Sequence, residues 1–400
     1  MKNGAAQFSA SFFSGQPVAV SRHCFPANLK NGLSRLFPMK KHIFLLGLCC
    51  AGFLSPAVAA PLDAFLSANQ SSTPGEVQVE AAYDLVNSTV DFLKIRDNDA
   101  DYSGTNVGDY HGAHVRAGVA ITPRLWLDGA LWERRIDHRS DLAKIHSWQL
   151  AAQYKLLEGS GYQPSVAVRL GAWGNYADEL KKSSPTTVRG VTLNSVNVSD
   201  PKDIQYQLDL IGTSKILENT ELSMFVGAGA SRVTLGSVTA TTTQNGCNYN
   251  LALGPTEVVG TLAQLCNASL VVDRFTAQNS AFGIDINKEA QYNASYVHGG
   301  LMLKWNKEDW QVRAGYQYQL LNRHQVDDTI KSRGGITSQS NHILIGEVMY
   351  KILHNTALFV RGQYMTNQFT GELPFAYNTL TSSRFDKRYG ILSTGLVITF

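Results

Sequence analysis

Twelve stretches of roughly ten residues alternate apolar side chains with polar or small ones along the chain. In the ninth stretch, Trp310, Val312 and Ala314 begin an apolar row at every second position, with glutamine, arginine and glycine between. This period of two is typical of β-strands with one apolar face. The stretches cover residues 76–93, 108–121, 124–137, 144–157, 164–176, 203–214, 220–235, 291–305, 309–321, 341–352, 356–369 and 386–400. The pattern predicts an all-β fold with about twelve strands.

The connections between these stretches alternate between short and long ones. Thr122-Pro123 and 353–355 are short, whereas 177–202 and 236–290 are long. A soluble sandwich also gives alternating strands, but an even strand number with alternating loop lengths is typical of transmembrane barrels. Hydrocarbon cannot satisfy backbone N–H and C=O groups, so a membrane-spanning sheet must have no free edge. We therefore expect a transmembrane antiparallel up-and-down β-barrel, with a long outer loop at 236–290.

The last stretch carries Leu392, Leu396, Ile398 and the terminal Phe400 on one face, and Thr394 interrupts the apolar row. It resembles the C-terminal strand of Gram-negative outer-membrane β-barrel proteins, which ends in an aromatic residue and is read by the barrel-insertion machinery. The resemblance implies a location in the outer membrane, with membrane lipid and that machinery as partners. It identifies no subfamily. Aromatic residues near other strand ends fit a water–lipid interface; these are Trp126, Trp305, Trp310, Tyr350 and Tyr364.

The N-terminal region has the features of a secretory signal. Lys40 and Lys41 precede twelve apolar residues at Ile43–Leu54, and the small residues of 55–60 follow. This order predicts a signal peptide cleaved after Ala59. The domain boundaries that follow are 1–38 for an upstream extension, 39–59 for the signal peptide, 60–75 for a short periplasmic segment and 76–400 for the barrel. A genuine long leader is the alternative interpretation of residues 1–38.

The charge balance changes when this leader is set aside. The whole chain has 35 basic and 32 acidic residues, but residues 1–60 hold six Lys and Arg and no acid. The remainder therefore has 29 basic and 32 acidic residues, a net charge of −3. The excess of basic over acidic residues comes from the leader alone. It therefore gives no support for nucleic-acid binding.

Two cysteines remain beyond the leader, Cys247 and Cys266, both inside the 236–290 segment. An even pair in an exported chain predicts a disulfide, with two unpaired thiols as the alternative. Too few ligands lie nearby for a metal site, and the chain shows no phosphate-loop or G-x-S-x-G motif. We therefore expect neither a metal nor a cofactor.

Strand parity places many charged side chains on the inner side of the barrel. The pore-lining candidates are Arg116, Arg134, Lys155, Arg169, Asp209, Arg313, Glu347 and Arg361. Twelve strands ~4.8 Å apart and tilted ~40° give a backbone diameter of roughly 24 Å, with ~10–14 Å clear of side chains. Arginines in such a wall act as fixed attractive charges. This arrangement predicts passive passage of small polar or anionic solutes.

Three other interpretations stay open. The first is a salt-bridged interior that only stabilises the barrel. The second is a non-conducting envelope protein that acts through its outer loops. The third is an outer-membrane hydrolase that uses Ser340-Asn341-His342, although no motif surrounds these residues and no catalytic site is assigned. His111 and His114 are interpreted as polar residues of the outer rim, on opposite faces of their strand.

Overall fold

The alternating stretches form twelve antiparallel strands that close into a barrel. The computed structural model describes residues 65–70, 73–86, 109–138, 141–183, 185–188, 191–264, 266, 272–279, 289–379, 381–382 and 388–400. With strands numbered along the chain, the barrel consists of β1 (Val77–Val86), β2 (Asp109–Thr122), β3 (Leu125–His138), β4 (Asp141–Leu157), β5 (Ser165–Tyr176), β9 (Lys202–Leu217), β10 (Thr220–Thr234), β15 (Tyr292–Lys307), β16 (Trp310–Asn322), β17 (Ser340–Leu353), β18 (Thr356–Met365) and β19 (Tyr389–Thr399). The expected signal peptide and upstream extension lie outside the described residues.

The barrel closes by pairing its first strand with its last. β1 and β19 run antiparallel from Gln78 opposite Thr399 to Leu85 opposite Leu392. The Phe400 backbone N–H donates to the Val77 carbonyl over 2.8 Å. The predicted fold class, an all-β antiparallel barrel of twelve strands, is confirmed.

The strands are apolar on their outer side and polar on their inner side. Leu131, Leu150, Leu170 and Met224 are among the large apolar residues exposed on the outer side. The inner side buries charged residues such as Asp128. Exposing an apolar surface of this extent to water is unfavourable. The outer side is therefore suited to contact with lipid.

Strand β15 carries two apolar rows of opposite parity in its sequence, which either a bulge near Tyr296 or an apolar inner face would explain. Tyr292, Ala294 and Tyr296 are buried on the inner side, while Val297 and Leu301 are exposed on the outer side. The pairing with β10 runs without a register shift through these residues. Both faces of β15 are therefore partly apolar, and no bulge is needed.

The two long connections after β5 and β10 build a second sheet of seven strands. We call it the outer sheet; its strands are β6 (Glu179–Lys182), β7 (Thr186–Val188), β8 (Val191–Ser199), β11 (Ser237–Gln244), β12 (Cys247–Leu253), β13 (Glu257–Leu262) and β14 (Arg274–Gln278). Leu193, Val238, Tyr249, Leu251 and Val258 belong to a hydrophobic core of its own. The segment 236–290, expected to be a loop, thus contains four strands.

The disulfide predicted between Cys247 and Cys266 is present and closes a stretch of 19 residues within the outer sheet. Replacing both cysteines by serine should remove about 3 kcal/mol of chain-entropy stabilisation from this sheet. We expect faster proteolytic cleavage between 245 and 279, measured by mass spectrometry, with unchanged heat-modifiability of the barrel on gels. Thr261→Ser in the same sheet is the control. Unchanged cleavage, or loss of the folded barrel band, would contradict this expectation.

Two short helices lie in the connections between the last barrel strands. Helix α1 (His324–Ser332) follows β16, and a 3-10 turn (Pro374–Ala376) lies between β18 and β19. None of the helices in the described parts of the chain is long and apolar enough to span a membrane.

Candidate functional site: the barrel lumen

The barrel encloses a polar cavity of about 380 Å³. Its wall includes Glu80, His114, Arg116, Asp128 and Arg313. The empty barrel estimated from strand number alone is much wider, so side chains and inserted segments fill most of the lumen. The contacts of these groups decide which charges face the cavity.

Asp128 on β3 is the centre of the first charge cluster. Arg169 of β5 donates to its two carboxylate oxygens over 2.6 and 2.9 Å, and Arg116 of β2 donates over 3.1 Å. The Asp128 side chain is 1% exposed and that of Arg116 is 28% exposed. The Asp128 carboxylate is therefore more deeply buried than Arg116, and both residues line the cavity.

Glu347 on β17 is the centre of a second cluster with the same arrangement. Arg313 Nε donates to one carboxylate oxygen over 2.8 Å, and Arg361 Nε donates to the other over 2.9 Å. Arg361 also reaches Glu80 over 3.1 Å, which links β18 to β1. Glu347 is fully buried, whereas Arg313 is 21% exposed. Here too the arginine is more exposed than the acid with which it pairs.

His114 is buried inside the barrel, so its assignment to the outer rim was wrong. Its two ring nitrogens lie 2.8 Å from Asp84 and 3.0 Å from Glu80, and the Ser393 hydroxyl donates to Asp84 over 2.5 Å. His114 shares strand parity with Arg116, which the sequence placed inside, and this signal could have located it. The histidine joins the acids of β1 to the second cluster.

Asp209 and Lys155 also point inward. Asp209 lies 2.7 Å from His298 Nε2 and accepts from Gln207 over 2.6 Å. Lys155 is buried, with its ammonium 3.8 Å from Glu158. All eight pore-lining candidates thus lie on the inner side, although Lys155, Asp209, Arg169 and Glu347 are not in the wall of the central cavity. That the others line a conducting path stays a prediction.

The connection after β18 turns into the barrel instead of outward. We call residues 366–379 the inner loop. Phe369, Leu373, Phe375 and Tyr377 of this loop are buried against apolar residues of the barrel wall and of α1. Burial of four large side chains stabilises this position by several kcal/mol in total, at about 1.5–3 kcal/mol each. The inner loop therefore occupies the lumen at the end from which the long connections leave, which we call the loop end.

Polar contacts fix the inner loop to the wall. Arg134 of β3 lies 2.7 Å from the Glu372 carboxylate, and Asn175 Nδ2 donates to the Glu372 carbonyl over 2.9 Å. The Tyr292 hydroxyl donates to the Tyr377 carbonyl over 2.8 Å. Burial raises the pKa of the Glu372 carboxyl above its usual range, and the attraction of Arg134 opposes this. Arg134 supplies a counter-charge for the loop carboxylate.

A second segment enters the lumen at the opposite end, where the short connections lie and which we call the turn end. The Ala68 backbone N–H donates to Thr213 Oγ1, and Gln153 donates to the Ser67 carbonyl, both over 2.8 Å. The centroid of the Phe65 ring lies 4.3 Å from the guanidinium carbon of Arg313. Residues 65–70, which are part of the expected periplasmic segment 60–75, contact the inner side of the barrel wall. We call residues 65–70 the N-terminal segment.

Two other sequence interpretations change in the structure. Asn341 is buried on the inner side and donates to the Asn367 carbonyl, whereas His342 is exposed, 2.9 Å from the Tyr316 hydroxyl. Consecutive strand residues point to opposite faces, so Ser340-Asn341-His342 does not assemble a hydrolase site. Trp126 is buried inside the barrel, where a Cβ on Gly118 would clash with its ring at 2.2 Å. Among the described residues, no group of three or more His, Cys, Asp or Glu is placed to hold a metal.

Comparison with known proteins gives general likenesses only. No protein-family model and no curated protein matches the sequence. Similar solved structures include the translocator domain of autotransporter NalP from Neisseria meningitidis, at 10% identity over 83% of this chain and 90% of that chain with a TM-score of 0.41. The CymD monoaromatic hydrocarbon channel gives 10% identity over 87% and 95% with a TM-score of 0.38, and the KdgM porin gives 8% over 81% and 99% with a TM-score of 0.34. Because these TM-scores are below 0.5, function must be argued from the geometry of this chain.

Proposed function

We propose that this chain spans an outer membrane as a narrow channel for small polar solutes, with a preference for anions. In the present conformation the inner loop and the N-terminal segment narrow it. The observation that carries the proposal is that the arginines of the lumen are more exposed than the acids with which they pair. We call this arrangement the charge order. Asp128 and Glu347 are buried, and their partners Arg116 and Arg313 face the cavity. A solute in the cavity therefore meets guanidinium groups, although the wall charges are nearly balanced.

Aromatic pairs on the outer side support the membrane location. The rings of Trp310 and Tyr350 are 4.6 Å apart at the turn end, and those of Tyr318 and His342 are 4.8 Å apart nearer the loop end. Trp310 and Tyr318 lie on one strand, ~26 Å apart along it at ~3.3 Å per residue, or roughly 20 Å after tilt. Outer-membrane barrels have an apolar band about 25 Å tall between aromatic girdles. The two aromatic levels are close to that spacing.

The outward positions between these levels are uncharged. On each barrel strand in the described part of the chain, the outward positions two to seven residues from the turn end hold no Asp, Glu, Lys or Arg. Charged side chains in hydrocarbon cost about 2–4 kcal/mol each on a lipid-facing barrel surface. Their exclusion from this band favours lipid as its surroundings. The outward row Leu392, Leu396, Ile398 and Phe400 supports recognition of β19 by barrel-insertion machinery.

The charge order predicts ion selectivity. Arg116→Gln with Arg313→Gln should lower the anion-to-cation permeability ratio roughly fivefold, equivalent to about 1 kcal/mol less attraction for an anion. The measurement is the reversal potential of reconstituted protein in planar bilayers across a KCl gradient. Arg135→Gln on the outer surface is the control and should leave the ratio unchanged. An unaltered ratio in the double variant would refute the role of these two arginines.

A second candidate function, binding of a surface partner, is favoured by the outer sheet. This sheet has its own hydrophobic core and disulfide, so the two long connections form a packed sheet and not irregular loops. On this proposal, deleting residues 240–285 abolishes partner binding by whole cells while the barrel still folds. Partner binding that survives the deletion would remove this candidate.

A further inference from the structure

Four exposed cations lie on the outer side of one wall of the barrel. Arg135 is on β3, Lys144 on β4, Lys202 on β9 and Arg232 on β10. These strands belong to the consecutive series β3-β4-β5-β9-β10 of the closed sheet. We call the four residues the basic arc. In the described strands β16 to β19 and β1, the outward positions near the loop end hold no Lys or Arg.

The height of the basic arc follows from the strand rise. Its residues are ten to fifteen positions from the turn ends of their own strands. At ~3.3 Å per residue and ~40° tilt, these positions lie about 25–38 Å above the turns. The apolar band is about 25 Å tall. The basic arc thus lies at the level of the lipid headgroups on the loop side, directly beyond the uncharged band.

The charges within the basic arc are balanced only in part by neighbouring acids. Arg135 and Lys144 are direct cross-strand partners, and like charges in such a pair repel each other. Glu133 accepts from Arg135 over 3.0 Å at an exposed site, where such a pair contributes little. Lys144, Lys202 and Arg232 form no ion pair with a described residue. An anion at this level would relieve the repulsion.

The surroundings of the basic arc indicate what kind of anion fits. The outer sheet rises from the connections after β5 and β10, on the same side of the barrel. At the end of the outer sheet next to the barrel strands, the exposed hydroxyls of Ser199 and Ser237 lie 2.7 Å apart. Uncharged hydroxyl groups of this kind pair with sugar hydroxyls. A lipid that carries both phosphate and sugar matches the cations and this neighbouring surface.

We propose that the basic arc binds the phosphate groups of a phosphorylated glycolipid in the outer leaflet. The proposal rests on the membrane location given above and is independent of conduction. Lys and Arg bind phosphate oxygens by charge-assisted hydrogen bonds, which are stronger than neutral ones. At the headgroup level such contacts form where the bilayer itself holds the phosphates.

The test uses the full folded chain in dodecyl maltoside micelles with bis-phosphorylated lipid A as the probe. Binding is measured by native mass spectrometry, and folding by heat-modifiability on gels. Lys144→Gln with Lys202→Gln should weaken binding by about fivefold or more and reduce its salt dependence. Lys144→Arg with Lys202→Arg should retain binding. Arg124→Gln with Lys307→Gln, two exposed cations at the turn end, is the matched control and should bind as the wild type does.

Three results would overturn the proposal. Equal binding of dephosphorylated lipid A would exclude phosphate recognition, and equal binding by the Lys144/Lys202 double variant would exclude the basic arc. Equally tight binding of phosphatidylglycerol would exclude a preference for glycolipid. None of these outcomes bears on ionic current, so failure here is distinguishable from failure of the channel proposal.

Discussion

A chain that lacks both luminal obstructions should conduct ions through a steadily open pore. The variant begins at Ser71 and replaces Phe369–Ala376 by a Gly-Ser linker of equal length. It loses the N-terminal segment beside Arg313, and it loses Phe369, Leu373 and Phe375 of the inner loop. We expect single-channel conductance in planar bilayers at least about threefold above that of the wild type, because the clear cross-section of the lumen grows. Each single alteration should give an intermediate conductance.

The controls distinguish a wider lumen from a misfolded barrel. Ile336→Ser changes an exposed residue of the connection after α1 and should leave conductance unchanged. The linker has the same length as the stretch it replaces, so β18 and β19 keep their spacing. Far-UV circular dichroism and heat-modifiability establish that the barrel is folded. A folded double variant without conductance would refute the channel proposal and favour a lumen that only stabilises the barrel.

Asp128→Asn should be among the most destabilising single substitutions in the lumen. The change removes the negative charge to which Arg169, whose side chain is 4% exposed, donates two hydrogen bonds. It also removes the charge paired with Arg116. Removing one partner of a buried pair costs about 3–5 kcal/mol. We expect a loss of roughly 3 kcal/mol in the free energy of unfolding, since Arg116 retains contact with water and screens part of the effect. Urea unfolding in lipid vesicles, followed by tryptophan fluorescence, measures this quantity.

Glu221→Gln is the matched control for this substitution. Glu221 lies 3.6 Å from Lys304, and both side chains are about a quarter exposed, at 24% and 27%. Partly solvated pairs contribute about 0–1 kcal/mol. If the two substitutions cost the same, burial of the acids behind the arginines is not what stabilises the lumen. The charge order used to argue anion preference would then lose its energetic basis.

The strands and their two faces could be predicted because they depend on local patterns. Alternation such as that of β16, from Trp310 to Leu320, identifies a strand and its faces whatever the strand pairs with. The inward parity of Arg116, Arg313 and Arg361 followed from the same period. The Cys247–Cys266 bond could be predicted because an even pair in an oxidising compartment has few alternatives.

The apolar residues of the lumen were the main source of error. Sequence reasoning treats an apolar row as lipid-facing, but Tyr292, Tyr296 and Trp126 are buried inside the barrel. They pack there because the inner loop and neighbouring wall residues give them partners. Period two shows that a strand has two faces, and it cannot decide which face is inner when both are apolar.

Local sequence patterns were sufficient to predict the twelve strands, the closed topology and the side of the sheet on which most charged residues lie. The entry of the inner loop and the N-terminal segment into the lumen, and the outer sheet built by the long connections, became known from the folded structure. These features depend on contacts such as Arg134 with Glu372, and Ala68 with Thr213, between residues far apart in the chain. Strand periodicity is imposed locally by the backbone, whereas a loop's position is set by distant side chains that no local pattern records.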